Sequence, residues 1–298
     1  MNQRLRANLL LLLTALIWGV AFVAQDVAMD HLPPFTFNGS RMVLGGLVLL
    51  PVVFFQNRKK EKPSRDSRKR LWKAGFWCGL MLFLGSSFQQ IGIQQTSAGK
   101  AGFVTALYIV LVPLLGLFRG KRVRFLLWAA VALCTVGLFL LCVTGTLTIH
   151  TGDLFLLLCA FAFAGHILVV DHFNAKTDPM AMSCLQFFIC GEFSLMMALL
   201  LEKPTVSGFT ASLIPIVYAG VFSGGVGYTL QILGQRNTDP TVASLILCLE
   251  SVFAVLAAWI LLGDVLSLRE LTGCAFMFAG ILLAQLPEKK TKKLVIAK

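Results

Sequence analysis

Ten stretches of about 20 mostly apolar residues, joined by short polar connections, leave this chain few folds to choose from. They run approximately Asn8–Val27, Pro34–Phe55, Leu71–Gln94, Ser97–Phe118, Phe125–Val143, Asp153–Val170, Pro179–Leu201, Ala211–Gln235, Thr241–Leu262 and Leu268–Leu286. Each is long enough to cross a bilayer as a helix, whereas barrel strands alternate in polarity and run about ten residues. Charged residues make up 13% of the chain, against about 25% in a soluble domain. There are too few charges to cover a water-facing surface, so most of it must face lipid. The expected fold is an all-α membrane protein of ten transmembrane helices, with the lipid bilayer as its first partner.

The net charge of +12 raises the question of a nucleic-acid partner. The cations are spread through the short connections rather than gathered on one face, so no nucleic acid is expected. With the N-terminus inside, Arg4, Arg6, the Arg58–Arg70 loop, Lys73, the Arg119–Arg124 turn, Lys176, Arg236 and the C-terminal lysines all fall inside. Only Lys100, Lys203 and Arg269 fall outside, and Arg41 lies within a span. This bias predicts a multi-pass protein of the cell (inner) membrane with both termini cytoplasmic. It is strong in the first half and the tail, and weak around the sixth to ninth helices. Arg4 and Arg6 before Ala7–Ala24 loosely resemble a signal peptide, but the run is long and more spans follow, which reads as an uncleaved first helix.

The chain repeats itself. A shift of 145 residues brings Trp18 onto Phe163, Pro34 onto Pro179 and Arg41 onto Gln186; a shift of 143 brings Gly120 onto Gly263 and Gly137 onto Gly280. The halves, 1–145 and 146–298 with its basic tail, hold five spans each. An odd number of spans forces the second copy to enter the membrane upside down. Inverted repeats recur in transporters, with the substrate site near the midplane between them.

Several short motifs carry a resemblance. The stretch Ala15–Phe22, with Trp18 and Gly19, is similar to the first helix of the EamA repeat of the drug/metabolite transporter superfamily. So are Pro34 with Arg41, and Leu107 to Pro113. In the second half come Gly152-Asp153-Leu154, Leu249-Glu250-Ser251-Val252-Phe253, Gly263-Asp264, Gly273 and Ala279-Gly280. The resemblance covers nearly the whole chain. It implies two inverted five-helix repeats around a central cavity, in a bacterial importer or exporter of amino acids or other small metabolites. The chain departs from the family where Ser251 replaces a common proline, and where Lys121 and Asp264 replace a glutamate after glycine.

Ionisable groups inside a bilayer cost about 2.5–3.5 kcal/mol on insertion scales, so they mark places to look first. Mid-span candidates are Arg41, His166, Glu192 and Glu250. Asp171 and His172 sit at the inner end of the sixth helix, within reach of water. For Glu250 two readings are open: a coupling group that binds a proton or a cationic part of the substrate, or a hydrogen-bonded structural acid. Its counterpart, counted back from Ser251 opposite Pro113, is Val112, so only one repeat carries an acid. Arg41 is open between a structural partner and a contact to a substrate carboxylate. Glu192 is open between the cavity, a structural bond and a partner protomer, and a homodimer remains a candidate assembly.

Polar and aromatic faces extend the set. Tyr228, Gln231 and Gln235 share one face of the eighth helix, and Gln90 and Gln94 one face of the third, with Ser86 and Ser87 a turn deeper. Trp18, Gln90, Tyr108, His166, Tyr228 and Gln231 are the expected substrate-binding residues. Gly224, Gly225 and Gly227 offer close packing or a hinge in the eighth helix. Pro113 and Pro215 are candidate kinks. The eight cysteines lie in apolar runs without C-x-x-C spacing, which reads as packing rather than metal or disulfide chemistry. No H-E-x-x-H zinc motif and no Walker A lysine occurs, so neither a cofactor nor a metal is expected and ATP does not drive the process. The expectation is a secondary transporter that moves a small metabolite by alternating access. The alternative is a membrane-embedded enzyme or accessory subunit.

Overall fold

The computed structural model describes residues 3–58, 63–95, 98–118, 120–121, 123–143, 151–262 and 267–286. The motif Gly263-Asp264 and the basic tail 287–298 lie outside these residues. Among the described residues every element is helical, and ten helical segments are long and apolar enough to cross a membrane. The first three spans are α1 (Gln3–Met29), α2 (Pro34–Asn57) and α3 (Arg65–Ile93). The fourth is two pieces, α4 (Ala98–Ala106) and α5 (Tyr108–Phe118). Then follow α6 (Phe125–Cys142), α7 (Thr151–Asn174) and α8 (Pro179–Leu201). After the short α9 (Val206–Ala211), the eighth span comprises α10 (Leu213–Val217), a π-helical segment (Tyr218–Tyr228) and α11 (Thr229–Gln235). The ninth is again split, into α12 (Pro240–Leu247) and α13 (Glu250–Leu262); α14 (Leu268–Gln285) is the tenth.

The span ends follow from local chemistry. The first N–H groups of a helix lack intrahelical partners. Pro at the first helical position removes one of them in α2, α8 and α12. Asp178 accepts from the backbone of Met180 and Ala181, Asp239 from Thr241, and Ser64 from Ser67. Ser267 and Glu270 form a reciprocal capping box on α14. The start of α2 is capped from afar: Glu202, just past α8, accepts from Phe35 N at 2.8 Å, and from Thr36 N and Thr36 Oγ1, each at 2.7 Å.

Glycines show the symmetry. A Cβ on Gly137 of α6 would meet Gly273 O of α14 at 2.7 Å, and one on Gly273 would meet Gly137 O at 2.7 Å. Gly46 of α2 faces the Phe188 ring of α8, while Gly191 of α8 faces Val43 of α2. Because residues 43 and 188, and 46 and 191, are each 145 apart, the contact is reciprocal. Close backbone approach of this kind is how helices pack where no hydrophobic force drives them together. The paired contacts α3–α7 with α1–α11, and α1–α13 with α5–α7, extend the same relation, as two inverted five-helix repeats require. Large apolar side chains such as Phe118, Phe125 and Leu199 stay on the outside, as lipid permits.

Candidate functional site

The fourth and ninth spans break where they meet. Leu107 interrupts the fourth, and Cys248–Leu249 the ninth. Tyr108 opens α5 and Glu250 opens α13, and the Tyr108 hydroxyl donates to Glu250 Oε1 at 3.1 Å. The segments after the breaks begin at Tyr108 and Glu250, a register of 142, one residue off that of the neighbouring glycines. That register puts Tyr108 itself opposite Glu250, where counting from the proline pointed to Val112; only one of the two copies carries an acid either way. The ninth span is interrupted even though Ser251 stands in place of proline. Discontinuous helices at the midplane are where transporter folds gather binding groups.

A narrow cavity of about 40 Å³ lies beside these breaks, room for a few waters as it stands. Both halves line it. From the first come Trp18, Phe22, Gln25, Arg41, Gln89 and Tyr108; from the second Phe163, His166, Ser223, Tyr228, Gln231 and Glu250, with Ile167 and Leu247 at its base. Of the residues singled out in the sequence, Trp18, Arg41, Tyr108, His166, Tyr228, Gln231 and Glu250 share this cavity. Gln90 is fully buried behind the wall, and its neighbour Gln89 takes the lining position. Glu192 is on the exposed side of α8, away from the cavity. Gln235 is buried and donates to Ile167 O at 3.2 Å. Asp171 pairs with Lys121 at 2.6 Å.

Arg41 is 4% exposed, so its charge sits where water can do little for it. Its Nε donates to Asn38 Oδ1 at 3.1 Å and its Nη1 to Gln25 Oε1 at 2.9 Å. Gln90 Nε2 donates to the same Gln25 oxygen, and Asn38 is held in turn by Ser86 and Ser194. The guanidinium also stands 5.3 Å from the Phe37 ring centre. Every acceptor is a neutral amide, and among the described residues no carboxylate lies within ion-pair distance of Arg41. The pseudo-equivalent Gln186 accepts through its Oε1 from His166 Nε2 at 3.0 Å, so the two copies of this position do unlike work. Gln231 Oε1 is buried without a hydrogen-bond partner, as is Gln90 Oε1. A buried polar atom left unpaired costs about 1–3 kcal/mol, and a ligand or water relieves that cost.

The aromatic wall rests on the π segment. Trp18 Nε1 donates to Ser223 O at 3.1 Å, Thr14 Oγ1 to Gly227 O at 3.2 Å, and Tyr218 OH back to Ile17 O at 3.2 Å. Gly227 leaves room for the indole, since a Cβ there would lie 2.7 Å from Trp18 Nε1. The Trp18 and Tyr228 rings are 4.5 Å apart, and His166 and Phe187 meet Tyr228 edge-on. The wider turn of a π-helix marks functional positions often, and here it carries Ser223 and Tyr228 to the cavity.

Sequence reasoning missed Gln25, Asn38, Phe22 and Phe163. Trp18, Phe22 and Gln25 are spaced i, i+4, i+7, which places them on one helix face; that stripe was the available signal. Phe163 was visible only as the repeat counterpart of Trp18. Asn38 sits inside a formal glycosylation sequon, which draws attention away from its buried role.

The EamA-like transporter family matches this chain twice, over residues 5–143 and 150–286. An uncharacterised transporter of Archaeoglobus fulgidus is 30% identical over 289 residues, covering 95% of this chain and 87% of that one. The uncharacterised transporter YwfM of Bacillus subtilis is 24% identical, covering 96% and 95% of the two chains. An S-adenosylmethionine/S-adenosylhomocysteine transporter of Chlamydia muridarum is 33% identical over 98 residues, or 33% of this chain and 30% of that one. A solved structure with 19% identity aligns with a TM-score of 0.77, over 94% of this chain and 96% of that one; at that identity the likeness speaks to fold alone.

Proposed function

The chain belongs to the EamA-like transporter family, and from that premise we propose that it carries an amino acid or related small metabolite across the cytoplasmic membrane by alternating access. One observation carries the reading: one cavity between the repeats presents a buried guanidinium, without a carboxylate partner among the described residues, together with a buried carboxyl. An amino acid brings the two complementary charges on one carbon. Arg41 takes the carboxylate and Glu250 the ammonium group or, between substrates, a proton. Trp18, Tyr108 and Tyr228 wall the side chain, while His166 and Gln231 supply hydrogen bonds, and Gln90 acts through Gln25 rather than by contact. The relative named for S-adenosylmethionine fits the same class, since that molecule is an amino acid.

Further parts of the reading rest on sequence. The halves 1–145 and 146–298 serve as the two rocking units. The basic connections place both termini in the cytoplasm. Labelling of single cysteines in intact cells tests that placement, and reaction of the loop at 58–70 with an impermeant reagent from outside would sink it. Proton coupling follows if Glu250 exchanges its proton as access alternates, and the outward-facing Glu192 is the residue to watch in a homodimer.

The experiment is counterflow in liposomes across a panel of amino acids and nucleosides. Accumulation of at least one amino acid, abolished by Arg41→Gln in a folded protein, supports the proposal. Turnover of a lipid or peptide without any flux would favour the membrane-embedded enzyme, and neither turnover nor flux would favour an accessory subunit.

A further inference from the structure

A second, smaller cavity of about 20 Å³ lies between the central one and the face that bears the N-terminus. Val112, Gly116, Lys121, Leu168, Asp239 and Thr241 are among its walls. The two cavities are in line. Tyr108 and Ile167 line the first; Val112, one helical turn further along α5, and Leu168, the next residue of α7, line the second. Between them is a thin apolar layer that includes Ile109 and Ile246, both buried. The walls come from α5, α7 and α12, which pack on one another.

At the surface end of this cavity Lys121 Nζ meets Asp171 Oδ2 at 2.6 Å. Lys121 belongs to the turn after α5, where Gly120 adopts a φ of 73°, and Asp171 to the last turns of α7. The ion pair therefore ties the first repeat to the second across the cavity mouth. In sequence the pair is not repeated at the related positions of the two halves. The repeat shifts of 145 and 143 carry Asp171 onto Asp26 and Lys121 onto Asp264, an acid facing an acid in sequence. An opposite-charge pair therefore has a like-charge counterpart in sequence, which makes the tie particular to one of the two repeat-related positions.

We infer that the second cavity is the last stage of the substrate path to the basic face, and that the Lys121–Asp171 pair is the latch that closes it. The inference rests on the transport reading for the word substrate, but the latch itself is testable without one. Opening requires α5 and α7 to part at their basic ends; each cycle breaks one partly exposed ion pair, a modest and reversible cost. The apolar layer above then has a small gap to open into rather than solid packing.

Gly116 supplies the reporter, because a Cβ there meets nothing within 4 Å. Gly116→Cys is labelled with a membrane-impermeant maleimide from the basic face, in inside-out vesicles, with the parent protein as blank. Labelling is expected to be slow with the latch intact and roughly two- to five-fold faster with Lys121→Gln or Asp171→Asn, the size a partly exposed pair supports. The exchange Lys121→Asp with Asp171→Lys should restore the slow rate. An unchanged rate in both single variants, or no rescue by the exchange, overturns the latch. In counterflow, maleimide on Gly116→Cys should block flux of whichever amino acid the wild type carries, and undiminished flux overturns the path. If the wild type carries nothing, the transport reading fails while the labelling arm still decides the latch.

Discussion

The two charged corners of the central cavity are built in opposite ways. Arg41 is braced by Asn38 and Gln25, which are themselves braced by Ser86, Ser194 and Gln90. Glu250 receives a hydrogen bond from Tyr108 across two helix breaks. A guanidinium is always charged and its planar fork is fixed by such neighbours. The Glu250 carboxyl has one described hydrogen-bond partner, a phenol at a helix break, and the transport reading assigns it the change of proton. The first corner suits constant recognition, the second a change of state during the cycle.

The harshest way to break that contrast is Arg41→Gln. Losing one partner of a buried charge pair costs about 2 kcal/mol or more, so substrate binding should weaken roughly 30-fold or more at every pH. Thermal stabilisation by the transported amino acid checks it. Glu250→Gln comes next. Its flux should fall about tenfold, as for loss of a charged hydrogen bond, and the pH dependence of flux should flatten; a pH series in liposomes checks both. Wild-type flux with an unchanged profile would make Glu250 a structural acid.

Gln25→Leu removes a brace without touching the charge. It should raise KM by about fivefold, as for one lost hydrogen bond of roughly 1 kcal/mol, and leave the pH profile as in the wild type. The smallest effect belongs to Tyr108→Phe, a two- to three-fold change in flux on the order of half a kcal/mol, accompanied by a displaced pH profile. If Gln25→Leu moved the profile and Tyr108→Phe moved KM alone, the division of labour would be reversed.

The fold was largely legible in the sequence because bilayer thickness sets span length. The second span, expected at Pro34–Phe55, runs Pro34–Asn57, and the seventh ends where expected, at Leu201. The third begins at Arg65 rather than Leu71, since the Ser64 cap starts a helix whose charged first turns hydropathy alone does not count. The breaks at Leu107 and Cys248–Leu249 were hidden, because neither holds glycine or proline and both run through apolar sequence. In the site, mid-span charges and aromatic residues stood out as costly or bulky exceptions. Gln25 and Asn38 did not, since a short amide near a span end reads as wetted until its hydrogen bonds are seen. The exchange of Gln90 for Gln89 at the cavity wall is a one-residue difference, about 100° around a helix, and the sequence pattern does not resolve it.

The central claim is that one cavity reads a carboxylate and an ammonium group on the same small molecule. The measurement that tests it most directly compares three forms of the transported amino acid: intact, as its methyl ester, and as the acid without its amino group. Each is titrated against the thermal stability of the purified wild type and of Arg41→Gln. The account predicts that the intact amino acid stabilises the wild type most, that the ester loses most of that effect, and that Arg41→Gln no longer distinguishes the ester from the parent. Equal stabilisation of the wild type by the ester and the intact amino acid would contradict it.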